Sequence, residues 1–524
     1  MISCLCRGES AHDKDEFNLD FLKDDAGVYI EALSMKALLA KVLLNNASIE
    51  SADLEKVIQL EKVKAAQIPF DFTLFSTYKR EEIHTPQNSA DYVASGGGTG
   101  IPTNPLQPTL ASPNIFEQRN HSMSLGISKK MKDGMILELS TNMNVLDNTL
   151  NRSKPPAVFQ PEWESYSGVS VTVPMLKDAG RDANLAGIRI ANTNAQIADI
   201  AWKQNTAELV ADAMKRYYDV IYALENLKVK QNSISLARKL LNDTKARKDR
   251  GRAAESDVIV ADAGLYQRID ESLTAEVLYV DLQNSLKLLY MEESKPQGYF
   301  IRVVPIDKMV DEVPDANRTE MLQLALENRY ELQQIDQTIK AKSSELQYAT
   351  NQTKPRLDLV AGTGLKGLGG NGDQSYRAAF EHQGYEWFAG LEFSMPLGGD
   401  NRRSPARAAR KALDQVYVKQ RDLRIQISLE VDTVVSRGKS NIKRLSATRK
   451  SREASLKSAE SALKKLAQGV GTSFEVLQLQ KEYSLARNRE IAALTDLNKD
   501  IVDLNLVTGQ LLEKMDITPV SRLD

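Results

Sequence analysis

Polar and apolar residues alternate in a few short stretches of this chain, and apolar residues recur at helical spacing almost everywhere else. Phe70, Phe72, Leu74, Ser76 and Tyr78 follow Ile68-Pro69 and alternate with Asp71 and Thr73, as in a half-buried strand. Leu357, Leu359, Ala361, Thr363 and Leu365 follow Lys354-Pro355 in the same way. A helical pattern precedes each, over 33–67 in the first case and 318–352 in the second. Each is answered by a returning strand. Val169, Val171 and Val173 run into Pro174-Met175-Leu176, while Trp387, Ala389, Leu391 and Phe393 run into Met395-Pro396-Leu397-Gly398-Gly399. A helical stretch of about 65 residues then leads to Gly251 in one half and Gly469 in the other, roughly 100 Å at 1.5 Å per residue.

These landmarks make the chain an internal duplication. Pro174 to Gly251 spans 77 positions, and Pro396 to Gly469 spans 73. The boundaries that follow are an extended, flexible segment over 1–30 and a first repeat over 31–292. That repeat holds a helix at 33–67, strands and loops at 70–174, and a helical hairpin at 182–292 with its tip near 251. A linker at 293–313 leads to a second repeat over 314–514, with a helix at 318–352, strands at 356–395 and a hairpin at 405–512 with its tip near 469. A tail covers 515–524. The long helices carry coiled-coil stripes: Tyr217, Val220, Leu224, Leu227, Ile234 and Leu241 in one, Leu456, Ala459, Leu463, Leu466 and Val470 in the other. Arg238, Arg449 and Arg452 interrupt these seams, which suits a wall one helix thick.

The halves differ in one respect. The first has 64 extra residues between its Pro landmarks. They include strand patterns at Ser122–Lys130 and Met135–Asn144 joined around Asp133-Gly134, a hairpin signal. Gly96-Gly97-Gly98-Thr99-Gly100 and a Pro-rich run to Pro113 read as a mobile loop, without the context of a phosphate-binding loop.

Composition narrows the chemistry. The 68 basic and 70 acidic residues nearly cancel, which leaves no basic excess for nucleic acid. Four scattered His and two Cys, Cys4 and Cys6, supply neither a metal cluster nor a disulfide framework. We therefore expect no enzyme activity, no cofactor and no metal. No apolar run is long enough for a membrane-crossing helix, so a membrane role falls to strands. Phe70, Phe72, Tyr385, Trp387, Leu391 and Phe393 would face lipid, with Asp71, Thr73, Glu386, Glu392 and Ser394 inside. Ile2-Ser3-Cys4 offers a possible lipidation site at Cys4, beside the plainer reading of a stray cysteine in a ragged terminus.

The order and duplicate spacing of these marks resemble the TolC family of outer-membrane efflux and secretion channels. Pro174-Met175-Leu176, Met395-Pro396-Leu397-Gly398-Gly399, Arg216-Tyr217-Tyr218-Asp219 and the two glycine-containing hairpin tips carry the resemblance, which spans 33–512. It implies a fold that is mainly α with a small transmembrane β-barrel contribution. It implies a homotrimer in the outer membrane extending into the periplasm, with four strands per chain in a barrel of twelve. It also implies an equatorial region built from the chain ends and the linker. The partners implied are a periplasmic adaptor and, through it, an inner-membrane pump, besides outer-membrane lipid. The extra hairpin is expected to extend outside the twelve strands, with six strands per chain as the rival. A soluble periplasmic coiled-coil scaffold or an adaptor is the alternative function.

Site candidates follow from the same landmarks. Gly251, Arg252, Ala253 and Ala254, with Gly469, Val470, Gly471, Thr472 and Ser473, form the tips at which the resemblance places adaptor docking. Asp257 and Glu475 each lie six residues beyond a tip glycine and are candidates for a carboxylate collar at the periplasmic aperture. Helix capping competes with that role, since Thr472-Ser-Phe-Glu475 has capping-box form. Pro69, Pro174, Pro355 and Pro396 mark barrel-to-helix junctions. Tyr217 and Tyr218 read as core packing. The cluster Arg402, Arg403, Arg407, Arg410 and Lys411 reads as a solvated helix face, with anionic lipid headgroups as the alternative.

Overall fold

The computed structural model describes residues 22–23, 29–88, 115–148, 158–291, 300–311, 317–382, 384–397 and 400–520. Cys4, the glycine run at 96–100, Pro113, and Gly398 and Gly399 lie outside the described residues. The chain forms two compact units, one from Met1–Gln59, Ala195–Thr338 and Val416–Asp524, the other from Leu60–Asn194 and Ile339–Gln415.

The first unit is helical apart from a three-stranded sheet. In it β1 (Leu22–Lys23) pairs antiparallel with β2 (Tyr29–Leu33), and β2 pairs in parallel with β7 (Arg302–Pro305). The start of the chain and the linker between repeats thus share one ladder. Around it run the helices α1 (Met35–Asn45) and α2 (Ala47–Ala65). The first hairpin is α3 (Arg181–Asn184), α4 (Ala186–Asp249) and α5 (Glu255–Lys287). The second repeat supplies α6 (Arg318–Asn328) and α7 (Tyr330–Gln352). A helix α8 (Gly372–Phe380), which like α3 belongs to the second unit, follows, then α9 (Ser404–Gln468), α10 (Ser473–Val507) and α11 (Leu511–Lys514). With 64 and 65 residues, α4 and α9 are each about 97 Å long.

Tyr217 anchors this unit. It is fully buried, and its hydroxyl lies 2.8 Å from both the Leu33 carbonyl and the Asp307 carboxylate. One phenol thereby ties α4 to the end of β2 and to the segment after β7. The core around it gathers Leu38, Val42, Val210, Val220, Tyr279, Leu286, Val303 and, from the chain end, Leu511 and Leu512. Tyr217 is a core residue, as its neighbours in sequence suggested.

Both predicted entry helices are broken. The first stops at Asn46 and the second at Arg329, each after an 11-residue helix, and both residues have extended backbone. Asn46 donates to the Leu289 carbonyl at 2.9 Å and accepts from the Ser48 N–H. Arg329 instead reaches Glu331 at 2.7 Å and Glu430 at 2.5 Å. Burial opposes its charge, but the two carboxylates outweigh burial and raise its pKa above the usual arginine value. No proline or glycine marks either break, so helical periodicity ran straight through them. Leu33 itself ends a strand rather than opening a helix.

The second unit is one antiparallel sheet in the order β3-β4-β5-β6-β8-β9. Its strands are β3 (Phe72–Pro86), β4 (Ile115–Lys130), β5 (Ile136–Leu146), β6 (Glu162–Pro174), β8 (Arg356–Gly369) and β9 (Gly384–Ser394). The extra hairpin does not extend outside four strands. β4 pairs with β3 along the whole of Phe72–Pro86, and β5 pairs with β6 from Ile136 to Leu146. An even alternation lets the hairpin join: its faces match those of its neighbours, so pairing satisfies backbone groups without misplacing a side chain. Phe70, predicted in the strand, belongs to a short 3-10 turn at Ile68–Phe70.

The seam of α4 is buried as predicted at Tyr217, Val220, Leu227 and Leu241. On α9 the buried register is Ala459, Ala462 and Leu466, whereas Leu463 and Val470 are exposed. Arg449 and Arg452, which break that stripe, both reach the buried Glu490 on α10, at 3.6 and 2.9 Å. Arg487 joins them at 2.8 Å.

Replacing Tyr217 by Phe should lower folding stability by about 1–3 kcal/mol, because the buried Leu33 carbonyl and the exposed Asp307 carboxylate, which share its one proton, lose their donor. Denaturant midpoints of the two proteins would reveal it, and equal midpoints would mean water already serves those acceptors. Burial also raises the Tyr279 pKa to about 12 and, with Asp307 beside it, raises that of Tyr217 further. The unfolded chain releases these protons near pH 10 while the folded chain holds them. Stability should therefore fall as pH rises above 10, and less steeply in the Tyr279→Phe variant.

Candidate functional site

Two places in the molecule have the form of working surfaces: the sheet and the pair of helical tips. The sheet is sorted by its register. One face carries Phe72, Leu74 and Tyr78 from β3, Met123, Leu125 and Ile127 from β4, and Leu137 and Leu139 from β5. It continues through Val169 and Val171 of β6 and Leu357, Leu359 and Leu365 of β8 to Tyr385, Trp387, Leu391 and Phe393 of β9. Trp387 and Phe72 are about 70% exposed, which is costly for aromatic surface in water. The opposite face carries Thr73, Thr77, Ser124, Ser128, Glu138, Ser140, Asn142, Ser170, Glu386 and Glu392. Such alternation across every strand is the pattern of a lipid-facing sheet with a polar interior.

Part of the apolar face is covered. The helix α8 lies over Gly367 and Gly369, where an added Cβ would meet α8 backbone at 2.0 and 2.6 Å. Ser375 donates to the Gly367 carbonyl at 3.0 Å, and Tyr376 meets Thr141 at 3.0 Å. The helix thereby shields Thr141, Ser165 and Ser167 on that face, which beyond Tyr78 and Met123 also carries Arg80, Glu82, His84, Glu117, Arg119 and His121. Sequence reading missed α8. Asn371 at its N-cap and the small residues Gly367, Gly369, Ala378 and Ala379 were the available signal.

The four prolines lie at helix–strand junctions. Pro69 is in the 3-10 turn before β3, Pro174 ends β6, Pro355 precedes β8 and Pro396 follows β9. The junction is stitched by the Met175 N–H to the Leu357 carbonyl at 2.8 Å and by the buried Asn351, which accepts from the Asp178 N–H at 2.8 Å. Of the basic cluster, Arg407 pairs with Asp400 and Lys411 with Asp414.

At the tips, Gly251 and Gly469 adopt φ of 69° and 83°, the left-handed conformation that ends a helix. The Arg252 N–H returns to the Arg247 carbonyl and the Val470 N–H to the Lys465 carbonyl. The two tips lie side by side. Thr244 of α4 and Ser473 of α10 are 3.2 Å apart and buried, and Leu240 packs with Leu466, Val476 and Leu477. Exposed at the tips are Gly251, Arg252, Ala254, Val470, Thr472 and Phe474, whereas Ala253 and Gly471 are half-buried and Ser473 is buried. A Cβ on Gly471 would meet the Leu466 nitrogen at 2.9 Å, so this glycine serves the turn.

Both acids sit in first helical turns. Asp257 accepts from the Ala254 N–H at 3.1 Å, and the Glu475 N–H donates to Thr472 Oγ1 at 3.2 Å. Capping is therefore a role of both sites, including the one whose N-cap residue, Ala254, has no polar side chain. Both carboxylates remain partly exposed. Among the described residues no group of three or more His, Cys, Asp or Glu could hold a metal ion. No described helix is long and apolar enough to cross a membrane.

This combination of an apolar-faced antiparallel sheet with paired long helical hairpins defines the class of outer-membrane channel folds. The chain matches solved structures of that class over nearly its whole length. The outer-membrane channel OprN is 15% identical, with a TM-score of 0.64 over 91% of this chain and 90% of that one. The Campylobacter jejuni CmeC outer-membrane channel is 11% identical, with a TM-score of 0.62 over 91% and 86%. The outer-membrane protein VceC of Vibrio cholerae is 12% identical, with a TM-score of 0.62 over 91% and 96%. Residues 321–510 match the family model for outer membrane efflux proteins. No curated protein matches the chain. The TolC-like resemblance seen in the sequence is borne out by the fold and by this family match.

Replacing Thr472 by Ala should free the Glu475 N–H and loosen the first turn of α10. Hydrogen exchange at 473–476 should accelerate several-fold, in line with the roughly 1 kcal/mol of an N-cap. Unchanged exchange would mean that the tip is held by Ser473 and Leu477 alone.

Proposed function

We propose that this protein is the outer-membrane exit duct of a tripartite efflux pump or type I secretion system. Three copies share one β-barrel in the outer membrane, and their helical hairpins form the wall of a tunnel in the periplasm. The observation that carries this reading is the sheet. Its apolar face crosses all six strands from Phe72 and Leu74 of β3 to Leu391 and Phe393 of β9, and the strands, at 11 to 16 residues, are long enough to span a bilayer. Yet β3 and β9 are edges within one chain. Edges are not tolerated in hydrocarbon, so identical copies must supply the missing partners.

The helices support the same assembly. Ile259, Tyr266, Leu273 and Val280 recur every seven residues along α5 and are all exposed. Such a stripe is a coiled-coil seam awaiting a neighbouring copy. A soluble periplasmic scaffold or adaptor would also use that seam, but it would leave the aromatic face of the sheet in water.

Within this duct the tips at Gly251–Ala254 and Gly469–Ser473 dock a periplasmic adaptor, which connects to an inner-membrane pump. Val470 and Phe474, 76% and 66% exposed, offer the apolar contacts. Asp257 and Glu475 line the aperture, where six carboxylates about the three-fold axis favour cations and resist crowding.

Protein extracted from outer membranes in detergent should have a native mass of about 175 kDa, three times 58.3 kDa. A soluble monomer would overturn the shared barrel. Changing Asp257 and Glu475 together to Ala should raise single-channel conductance in a planar bilayer, and unchanged conductance would remove them from the aperture. Changing Val470 and Phe474 to Asp should abolish export while leaving the trimer intact. Undiminished export would place docking elsewhere.

A further inference from the structure

On the shared-barrel reading, the hairpin β4–β5 sets the size of the duct. We propose that three copies of this chain close an eighteen-strand barrel, with a wider mouth than twelve strands would give.

Four observations carry the step. First, β4 and β5, at 16 and 11 residues, are each long enough to cross a bilayer. Second, their turn is fastened to the junction end of the sheet, not projected beyond the far end. The Gly180 N–H donates to the Asp133 carbonyl at 2.9 Å. Gly134 has φ 102°, and a Cβ there would meet the Asp178 carbonyl oxygen at 2.4 Å and Pro174 at 2.9 Å. The hairpin therefore runs the full height between the helix junctions and the loops.

Third, the hairpin repeats the two-faced pattern of its neighbours in register. Leu74 pairs with Ile127, Ile127 with Leu139, Leu139 with Val169, and Val169 with Thr363. Across the other face Thr77 pairs with Ser124, Ser124 with Asn142, and Asn142 with Tyr166. Leu139 is 59% exposed. A hairpin lying in water would have no use for that residue, whereas a barrel wall turns it to lipid. Fourth, six alternating strands leave β3 and β9 running in opposite directions. Rotation alone then brings β9 of one copy antiparallel to β3 of the next, and the ring closes with every strand antiparallel.

Barrel diameter grows roughly in proportion to strand number, so eighteen strands give about 1.5 times the diameter and about twice the cross-section of twelve. That is the strand number at which barrels leave an open aqueous channel. The polar face lining it carries seven carboxylates (Glu81, Glu138, Glu162, Glu164, Asp358, Glu386, Glu392) against Lys79, Lys130, Arg356 and Lys366.

The test places a single label at each of three positions. In the full chain with Cys4 and Cys6 changed to Ser, single cysteines replace Leu139 or Asn142 on the hairpin, or Leu391 on β9. Each carries an environment-sensitive thiol fluorophore, and the purified assembly is reconstituted in phosphatidylcholine vesicles with or without nitroxide-labelled lipid. We expect labels at 139 and 391 to be quenched at least threefold by the lipid nitroxide, and the label at 142 to be quenched by aqueous iodide instead. Quenching at 391 with an iodide-accessible, lipid-insensitive label at 139 would overturn the eighteen-strand barrel while leaving the shared barrel standing. Lipid-insensitive labels at both 139 and 391 would overturn the membrane reading itself.

Discussion

Backbone hydrogen bonds at the edge of an apolar sheet are the constraint on which this molecule depends. A sheet with one continuous hydrophobic face is stable only where that face leaves water, and the environment that accepts the face refuses the open edges. Each unpaired N–H and C=O in hydrocarbon costs several kcal/mol. In the proposed duct β3 and β9, the edges of the sheet, therefore demand strands that one chain does not have. The even strand count, the matched faces and the exposed seam on α5 are all consistent with meeting that demand through copies of the same chain.

The helical unit answers a different problem, how to hold very long helices with a thin core. Its apolar core gathers around Tyr217 and Tyr279, and buried polar contacts take over beyond it. Tyr217 links α4 to Leu33 and Asp307, Asn46 holds Leu289, and Glu490 gathers three arginines. Arg437 reaches both Asp500 and Asp503 across the α9–α10 pair. Such contacts contribute modestly to stability, but each leaves a costly orphan if it is misaligned, so they favour one register of the helices over its neighbours.

Much of this was legible in the sequence because it is periodic or punctuated. Proline and glycine marked the junctions and the tips, and strict alternation exposed the strands. What escaped lacked such signals. The breaks at Asn46 and Arg329 depend on distant partners, Leu289 and Glu430, and neither break carries a proline or glycine. The α8 helix depends on glycines belonging to a strand. For the hairpin, each strand was visible but its place in the sheet was not. Register is a property of neighbours, and only the fastening of Asp133 and Gly134 beside Pro174 and Gly180 reveals at which end the turn lies. Capping by Asp257 runs from its carboxylate back to the Ala254 N–H, and an alanine N-cap gives no sign of it in the sequence.

The order of the strands also sets an order of events during synthesis. β3 to β6 form a meander of consecutive neighbours, so its ladders close over short stretches of chain and are available as soon as the first repeat has emerged. The β6–β8 ladder joins Val169 to Thr363 and has to wait for two long helices to be made and folded back. Through that interval β6 is a bare edge beside a greasy surface, the condition under which nascent chains stick to one another. Four of the six strands lie in the first half of the chain, so the meander waits with β6 as an open edge until β8 arrives.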